Sequence, residues 1–294
     1  MQMDCKDKID YWEKEISKID ERCDFTGLFK QENKNKVVFN QYEHVKQQQA
    51  TSLVISESIY RNLKTLCVQN DLNLDATLQF AWHKVLNVYG YSQKTVIGTI
   101  VPDIGTFPSI LNHNVNHLIV DAVRNIQNNL DNMITQSKID FSSLEKRKIK
   151  HNFFDCLFAY ENDATSETSV EWKGNSFGFN PECDIKHLRH PLIVIAYEKI
   201  ANQCITFVLN YAGELFASDT IDDILATMNG FLTKIGEKNA LRNSDLQFLT
   251  EKQMNMIHQW NNTAREFPEL NTQTTIHKLF EEEAEKSSVK VAVV

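Results

Sequence analysis

Nine histidines and six cysteines are the residues whose types could support proton transfer, nucleophilic attack or metal binding. His113 and His117 form His-x-x-x-His, a spacing that places two imidazoles on one face of a helix for a metal ion. The stretch 115–123 reads instead as a strand. There, residues i and i+4 share a face but lie about 13 Å apart, too far to chelate one ion. His187 and His190 flank Leu188-Arg189 just before an apolar run and fit a surface turn. His83 lies within an apolar helix and fits a satisfied core or edge histidine. None has an evident nucleophile beside it, so no catalytic residue and no metal ligand is assigned. The cysteines, Cys5, Cys23, Cys67, Cys156, Cys183 and Cys204, are widely spaced and never form Cys-x-x-Cys. Buried, reduced thiols are expected, not a zinc knuckle or a redox pair.

The elements that would position such residues can be read from periodicity. Ile9, Trp12, Ile16 and Ile19 give residues 4–22 a helical rhythm. Residues 50–56 form a strand, and Ser56 caps a helix that buries Ile59, Leu63, Leu66 and Cys67. The next helix is apolar almost all round and ends at Gly90. Strands are predicted at 95–101 and 115–123, and a helix at 125–137. Four further strands should follow: NFFDCLFAYEN, VEWKGNSFGFN, PLIVIAYEKI and QCITFVLNYA, as an antiparallel run. A helix over 218–235 comes next, then a polar connector. Thr250 and Gln253 form a capping box for a short helix, and Thr275 opens another.

The bulk numbers exclude some roles. A net charge of −8 with no basic face evident argues against nucleic-acid binding. No apolar run approaches the roughly 20 residues that span a bilayer. The N-terminus lacks a signal-peptide core, so a cytoplasmic protein is expected. Neither a Walker loop nor a Gly-x-Gly-x-x-Gly turn occurs, so no nucleotide loop is named. Glu281-Glu282-Glu283 is a solvated helix face.

The tail carries a more specific signal. Trp260-Asn261-Asn262-Thr263 leads to Phe267-Pro268; then come Thr275-Ile276-His277-Lys278-Leu279-Phe280-Glu281 and Val291-Ala292-Val293-Val294. In order and spacing this resembles the junction between a condensation domain and an adenylation domain in nonribosomal peptide synthetases. The body resembles the C-terminal lobe of the condensation domain. Tyr11-Trp12-Glu13-Lys14 looks like the segment before the crossing to that lobe. Val96-Ile97-Gly98-Thr99 resembles the family's V-x-G-T strand, and Asn114-Val115-Asn116-His117-Leu118 its F-V-N-T-L. Asp140 to Leu144 stands where a D-x-P-F-x-x-L stretch is expected. Asn210-Tyr211 through Phe216 resembles N-Y-x-x-x-L-F. The family's His-His-x-x-x-Asp-Gly string is absent, and its arginine-bearing stretch is matched poorly by Arg147 to Phe153.

The resemblance implies a mixed α/β sheet with flanking helices, half of a two-lobed domain of chloramphenicol-acetyltransferase type. It implies a leading helix over 1–25, the lobe over 26–245, a linker over 246–270 and the start of an adenylation domain over 271–294, cut within its first strand. Asn116 becomes a candidate for the wall of the intersubstrate tunnel. Trp260, Asn261, Thr263, Phe267, Pro268, His277, Leu279 and Phe280 become linker or platform residues. The expected role is a truncated lobe, non-catalytic alone, that packs against the adenylation domain. The alternative is half of an amide-forming enzyme that needs an N-terminal lobe. Phosphopantetheine-bearing carriers, ATP and magnesium would belong to the parent protein, and no cofactor to this chain.

Overall fold

The computed structural model describes residues 5–19, 23–34, 42, 45–101, 105–136, 155–162, 190–237, 241–246, 249, 251–264 and 275–288. It divides into two compact units, Met1–Thr250 and Glu251–Val294.

The first unit is built on a six-stranded sheet. Its strands are β1 (Gln48–Ile55), β2 (Lys94–Val101), β3 (Gly105–Asn112), β4 (Cys156–Asn162), β5 (Leu192–Lys199) and β6 (Cys204–Ala212), in the spatial order β1-β6-β5-β4-β2-β3. β2, β4 and β5 run parallel; β1, β3 and β6 run against their neighbours. The expected antiparallel run over the second half is therefore corrected. β5 and β6 are antiparallel, but β4 pairs β5 in parallel. A period-two pattern sets which face is buried and says nothing of strand direction. The expected strand over 170–180 lies outside the described residues.

The five helices of this unit are α1 (Cys5–Ser17), α2 (Glu57–Asn70), α3 (Leu74–Tyr89), α4 (Ile119–Gln136) and α5 (Ser218–Glu237). α2, α3, α4 and α5 join the even-numbered residues of β4 and β5 in one large core. Leu157, Ala159, Ile193 and Ile195 form a smaller cluster with Ile100 on the other sheet face. Ser56 caps α2 as expected, accepting from the Ile59 amide. The buried face of α2 is Tyr60, Leu63, Leu66 and Cys67, with Ile59 only half-buried. α3 is buried on nearly every side, because α4, α5 and the sheet all lie against it. Gly236 lets α5 approach α2: a Cβ there would stand 2.9 Å from that of Asn62.

One expected strand is not there. Residues 115–117 form a turn, and α4 begins at Ile119. Ile119, Val120, Val123 and Ile126 are buried at helical spacing, so tertiary packing overrides the strand preference of a valine- and isoleucine-rich segment. The strand that pairs with β2 is β3, which the sequence reading left unassigned. It carries Pro108 and opens at Gly105, whose φ is +140°. Pro108 is tolerated because β3 is an edge strand, and the φ at residue 105 because glycine has no Cβ.

The second unit contains α6 (Glu251–Asn261) and α7 (Ile276–Lys286). Thr250 lies outside the described residues, so its capping role does too. Thr275 stands at the N-cap of α7 without a side-chain cap bond. No described helix is long and apolar enough to cross a membrane.

Candidate functional site

The carboxyl ends of β2, β4 and β5 point the same way. In open α/β sheets this edge is where ligands collect. Here it gathers a set of buried polar side chains. Glu198, one residue from the end of β5, is 2% exposed. Its carboxylate accepts from Tyr60 Oη at 2.7 Å, from Lys64 Nζ at 3.0 Å, both on α2, and from the Tyr160 hydroxyl on β4. Burial alone would push the Glu198 carboxyl up. The hydrogen bonds from Tyr160, Tyr60 and Lys64 outweigh it and hold the group below its ordinary value. Both phenols are pushed up, by burial first and then by the carboxylate they bond.

A second polar set continues beside it beneath α3. Asp75 in the first turn accepts from Gln79 Nε2 at 3.0 Å, and Gln79 Oε1 accepts from Thr99 Oγ1 at 3.0 Å. Burial pushes the Asp75 carboxyl up to about 6, with the Gln79 bond acting the other way. A half-buried carboxyl near neutrality can exchange a proton at working pH.

Two turns further along α3, His83 is fully buried. Its Nδ1 lies 2.7 Å from Thr95 Oγ1 on β2, and its Nε2 lies 3.1 Å from Ser109 Oγ on β3. Thr95 Oγ1 also lies 2.8 Å from His113 Nε2. Burial lowers both histidines, His113 to about 3 and His83 well below its ordinary value. Each also feels a like charge: His113 acts on His83, and Lys84 on His113. His83 is thus a bonded core histidine, in line with the sequence reading.

The other anticipated residues fall in different places. His113 turns into the core, while His117 is held at the surface, its Nε2 3.2 Å from Asn114 Nδ2. The strand argument for keeping them apart does not hold, since residues 115–117 are a turn; it is their opposite directions that separate them. Asn116 is exposed in that turn. Its amide donates to Asn114 Oδ1 at 3.0 Å, and its carbonyl accepts from Arg242 Nη1 at 2.9 Å. His190 is half-buried just before β5, and His187 lies outside the described residues. Cys23, Cys67 and Cys156 are buried free thiols, and Cys204 is partly exposed. No cluster of metal ligands occurs among the described residues. In the second unit, Trp260 and Phe280 are 67% and 73% exposed, Asn261, Thr263 and His277 are exposed, and Leu279 is half-buried. Phe267 and Pro268 lie outside the described residues.

Sequence reasoning missed the carboxylate cluster and the seam under α3. A signal for the seam existed: Asp75, Gln79 and His83 recur every fourth residue in a mostly apolar helix. Thr95 and Thr99 share one face of the buried strand beneath it. For Glu198 there was no such sign, because its partners come from two other elements distant in sequence.

The N-Y-x-x-x-L-F stretch has a clear structural purpose. Asn210 and Tyr211 lie near the end of β6, and Phe216 meets Phe29 edge to face at 5.4 Å. Between them, the Glu214 carboxylate accepts from the Tyr42 hydroxyl and from the amides of Lys46 and Gln47, at 2.6 and 2.9 Å. That fixes the segment entering β1.

Comparisons with known proteins agree with this architecture. The chain is 29% identical over 308 residues to N-(5-amino-5-carboxypentanoyl)-L-cysteinyl-D-valine synthase of Penicillium rubens, covering 98% of this chain and 8% of that protein. The synthase of the same name from Amycolatopsis lactamdurans is 31% identical over 310 residues, with the same coverage. The chain therefore spans less than a tenth of the length of these curated relatives. Among solved structures, the X-domain from teicoplanin biosynthesis superposes with a TM-score of 0.68 at 16% identity, over 85% of this chain and 58% of that one. The first condensation domain of the calcium-dependent antibiotic synthetase gives 0.60 at 10% identity, over 83% of this chain and 54% of that one. The sequence profile of the Condensation domain matches residues 1–258, and the chain belongs to the condensation-domain family.

Proposed function

We propose that this chain serves as the C-terminal lobe of a condensation domain in a nonribosomal peptide synthetase, non-catalytic by itself. On this reading it supports and positions the adenylation domain that follows in the same parent protein. The observation that carries the peptide-synthetase assignment is the alignment along 98% of the chain with the two tripeptide synthases. Amide formation from a thioester needs two carrier arms held in register, and a base with a pKa near working pH assists it. The sequence has no His-His-x-x-x-Asp-Gly. His83 and His113 are locked in the core with lowered proton affinity, so neither meets that need. The exposed large apolar residues described on the first unit are Val54 on β1, Val68 on α2, and Tyr91, Val115 and Ile200 in three separate connections. They make no evident broad face for a missing lobe.

Trp260, Asn261, Thr263, Phe267, Pro268, His277, Leu279 and Phe280 would form the linker and platform, and Asn116 a tunnel wall in the assembled domain. The domain boundaries at 25, 245 and 270 and a cytoplasmic location belong to the same proposal. Phosphopantetheinyl carriers, ATP and magnesium would act in the parent protein.

The test is a peptide-bond assay with carrier-bound aminoacyl donor and acceptor, read by mass spectrometry. The chain alone should give no product above buffer. Product at a hundredfold the buffer rate overturns the non-catalytic reading. The alternative, half of a working condensation enzyme, draws on the solved chains, which extend well beyond the matched region. A separately expressed lobe bearing His-His-x-x-x-Asp-Gly should then restore product when mixed in.

A further inference from the structure

Four side chains on three elements form one hydrogen-bonded line: His113, Thr95, His83 and Ser109, with contacts of 2.8, 2.7 and 3.1 Å. The line has a constraint of its own. The Thr95 hydroxyl has one proton and stands between two ring nitrogens, so it donates to one and accepts from the other. If His113 donates through Nε2, Thr95 donates to His83 and His83 donates to Ser109. His113 Nδ1 is then a bare lone pair, and it is buried without a hydrogen-bond partner among the described residues. A proton added to that nitrogen becomes a buried, charged N–H with no acceptor. If His83 is protonated instead, both its nitrogens donate, Thr95 must donate to His113, and His113 Nδ1 carries the unmet N–H. If both rings are charged, the Thr95 hydroxyl has no ring acceptor left. Every added proton therefore leaves a buried donor unpaired.

Among the described residues, no opposite charge is a cause of either histidine's shift. From α3 the pair meets Lys84, a like charge. From β2 and β3 the pair meets, among the described residues, the hydroxyls of Thr95 and Ser109. The Cys23 thiol lies alongside β2, 4.0 Å from the Val96 carbonyl, and burial pushes it up to about 11, so it stays neutral. Asp155, just before β4, acts on Cys23 and Cys156 and is no cause of the histidines' shifts.

We propose that the His83–Thr95–His113 line is an acid-sensitive latch that holds the β2–β3 hairpin against α3. Proton uptake by the pair releases β3 while the centre of the sheet stays closed. β3 is suited to this because it is an edge strand with β2 as its sole described strand neighbour. The Ser109–His83 contact fastens it to α3. The direction in pH follows from linkage. Both rings bind protons less well when latched than the roughly 6.5 of a free histidine. The open form therefore takes up more protons below that value, and the latch is fully closed above it. The closed-to-open ratio falls by up to about tenfold per pH unit for each histidine as pH drops below about 6.5.

The test is hydrogen exchange of the whole chain at several pH values from 7.5 to 5.5, corrected for the intrinsic pH dependence of exchange. Amides of β3 should lose at least tenfold in protection relative to those of β5 in the same molecule. Unchanged β3 protection, or loss in step with β5, overturns the latch. His113→Gln can still donate to Thr95 but cannot titrate; it should leave less than a threefold dependence. Should that variant not fold, imidazole NMR of the unaltered chain decides. Rings that gain charge only as β3 opens support the latch. A ring that titrates near 6.5 with β3 still protected refutes it.

Discussion

Glu198 keeps a charge in a place that would ordinarily neutralise it, and it does so through three donors from two elements. Hydrogen bonds to a charged group are worth about 1.5–3 kcal/mol each. Tyr160→Phe should therefore lower stability by about that amount, measured by urea unfolding at pH 7. The same site gives a pH signature. Its folded carboxyl lies below the ordinary glutamate value. The stability it confers is fully present above that ordinary value, about 4.3, and is lost as pH falls through the folded one. Glu198→Gln should flatten that acid limb; an unchanged limb would place the acid sensitivity elsewhere. The histidine line begins to respond at higher pH, below about 6.5, so the onsets of the two can be separated by titration.

At the scale of elements, Trp12 anchors α1 at the sheet edge. Trp12 is fully buried, stacks on Phe107 of β3 at 5.5 Å and 20°, and packs with Met133 of α4. Its indole N–H donates to the Gln136 carbonyl at 3.1 Å. Trp12→Ala should cost about 3–5 kcal/mol if α1 belongs to the cooperative unit. A loss below about 1 kcal/mol in urea unfolding would mean that α1 frays independently. Gly236→Val tests the crossing of α2 and α5. The added Cβ would meet Asn62 at 2.9 Å, so a destabilisation of about 1–3 kcal/mol is expected. A neutral result would show that the helices can separate without cost.

For the molecule as a whole, the second unit contributes little to the core. α6 and α7 hold no fully buried described side chain, and Trp260, Ile276 and Phe280 are largely exposed. Trp260→Ala with Phe280→Ala should leave the unfolding midpoint of this chain within about 0.5 kcal/mol of the parent. In a protein that includes the adenylation domain, the same pair should lower the thermal transition if these residues are its platform. No change there would count against the platform reading.

Much of the local structure follows from the sequence alone. Ser56 followed by apolar residues at helical spacing makes α2, and a nearly all-apolar run ending at Gly90 makes a buried α3. The apolar runs in β5 and β6 mark strands buried in the sheet. These readings hold because burial and backbone period are encoded within a dozen residues. Tertiary structure decided what depends on distant partners. The parallel pairing of β4 with β5 is one case, since alternation carries no direction. Residues 115–123 are another, where contact with α3 and β3 favours helix over local strand preference. The edge position that makes Pro108 acceptable in β3 is a third. The polar sites show the same division. The family kinship was legible in short motifs, and His83 was legible as a core residue. That His83 and His113 share one hydroxyl, or that Glu198 meets Tyr60 and Tyr160, was not. Hydrogen bonds between residues 12 to 138 positions apart exist only once packing has brought their elements together.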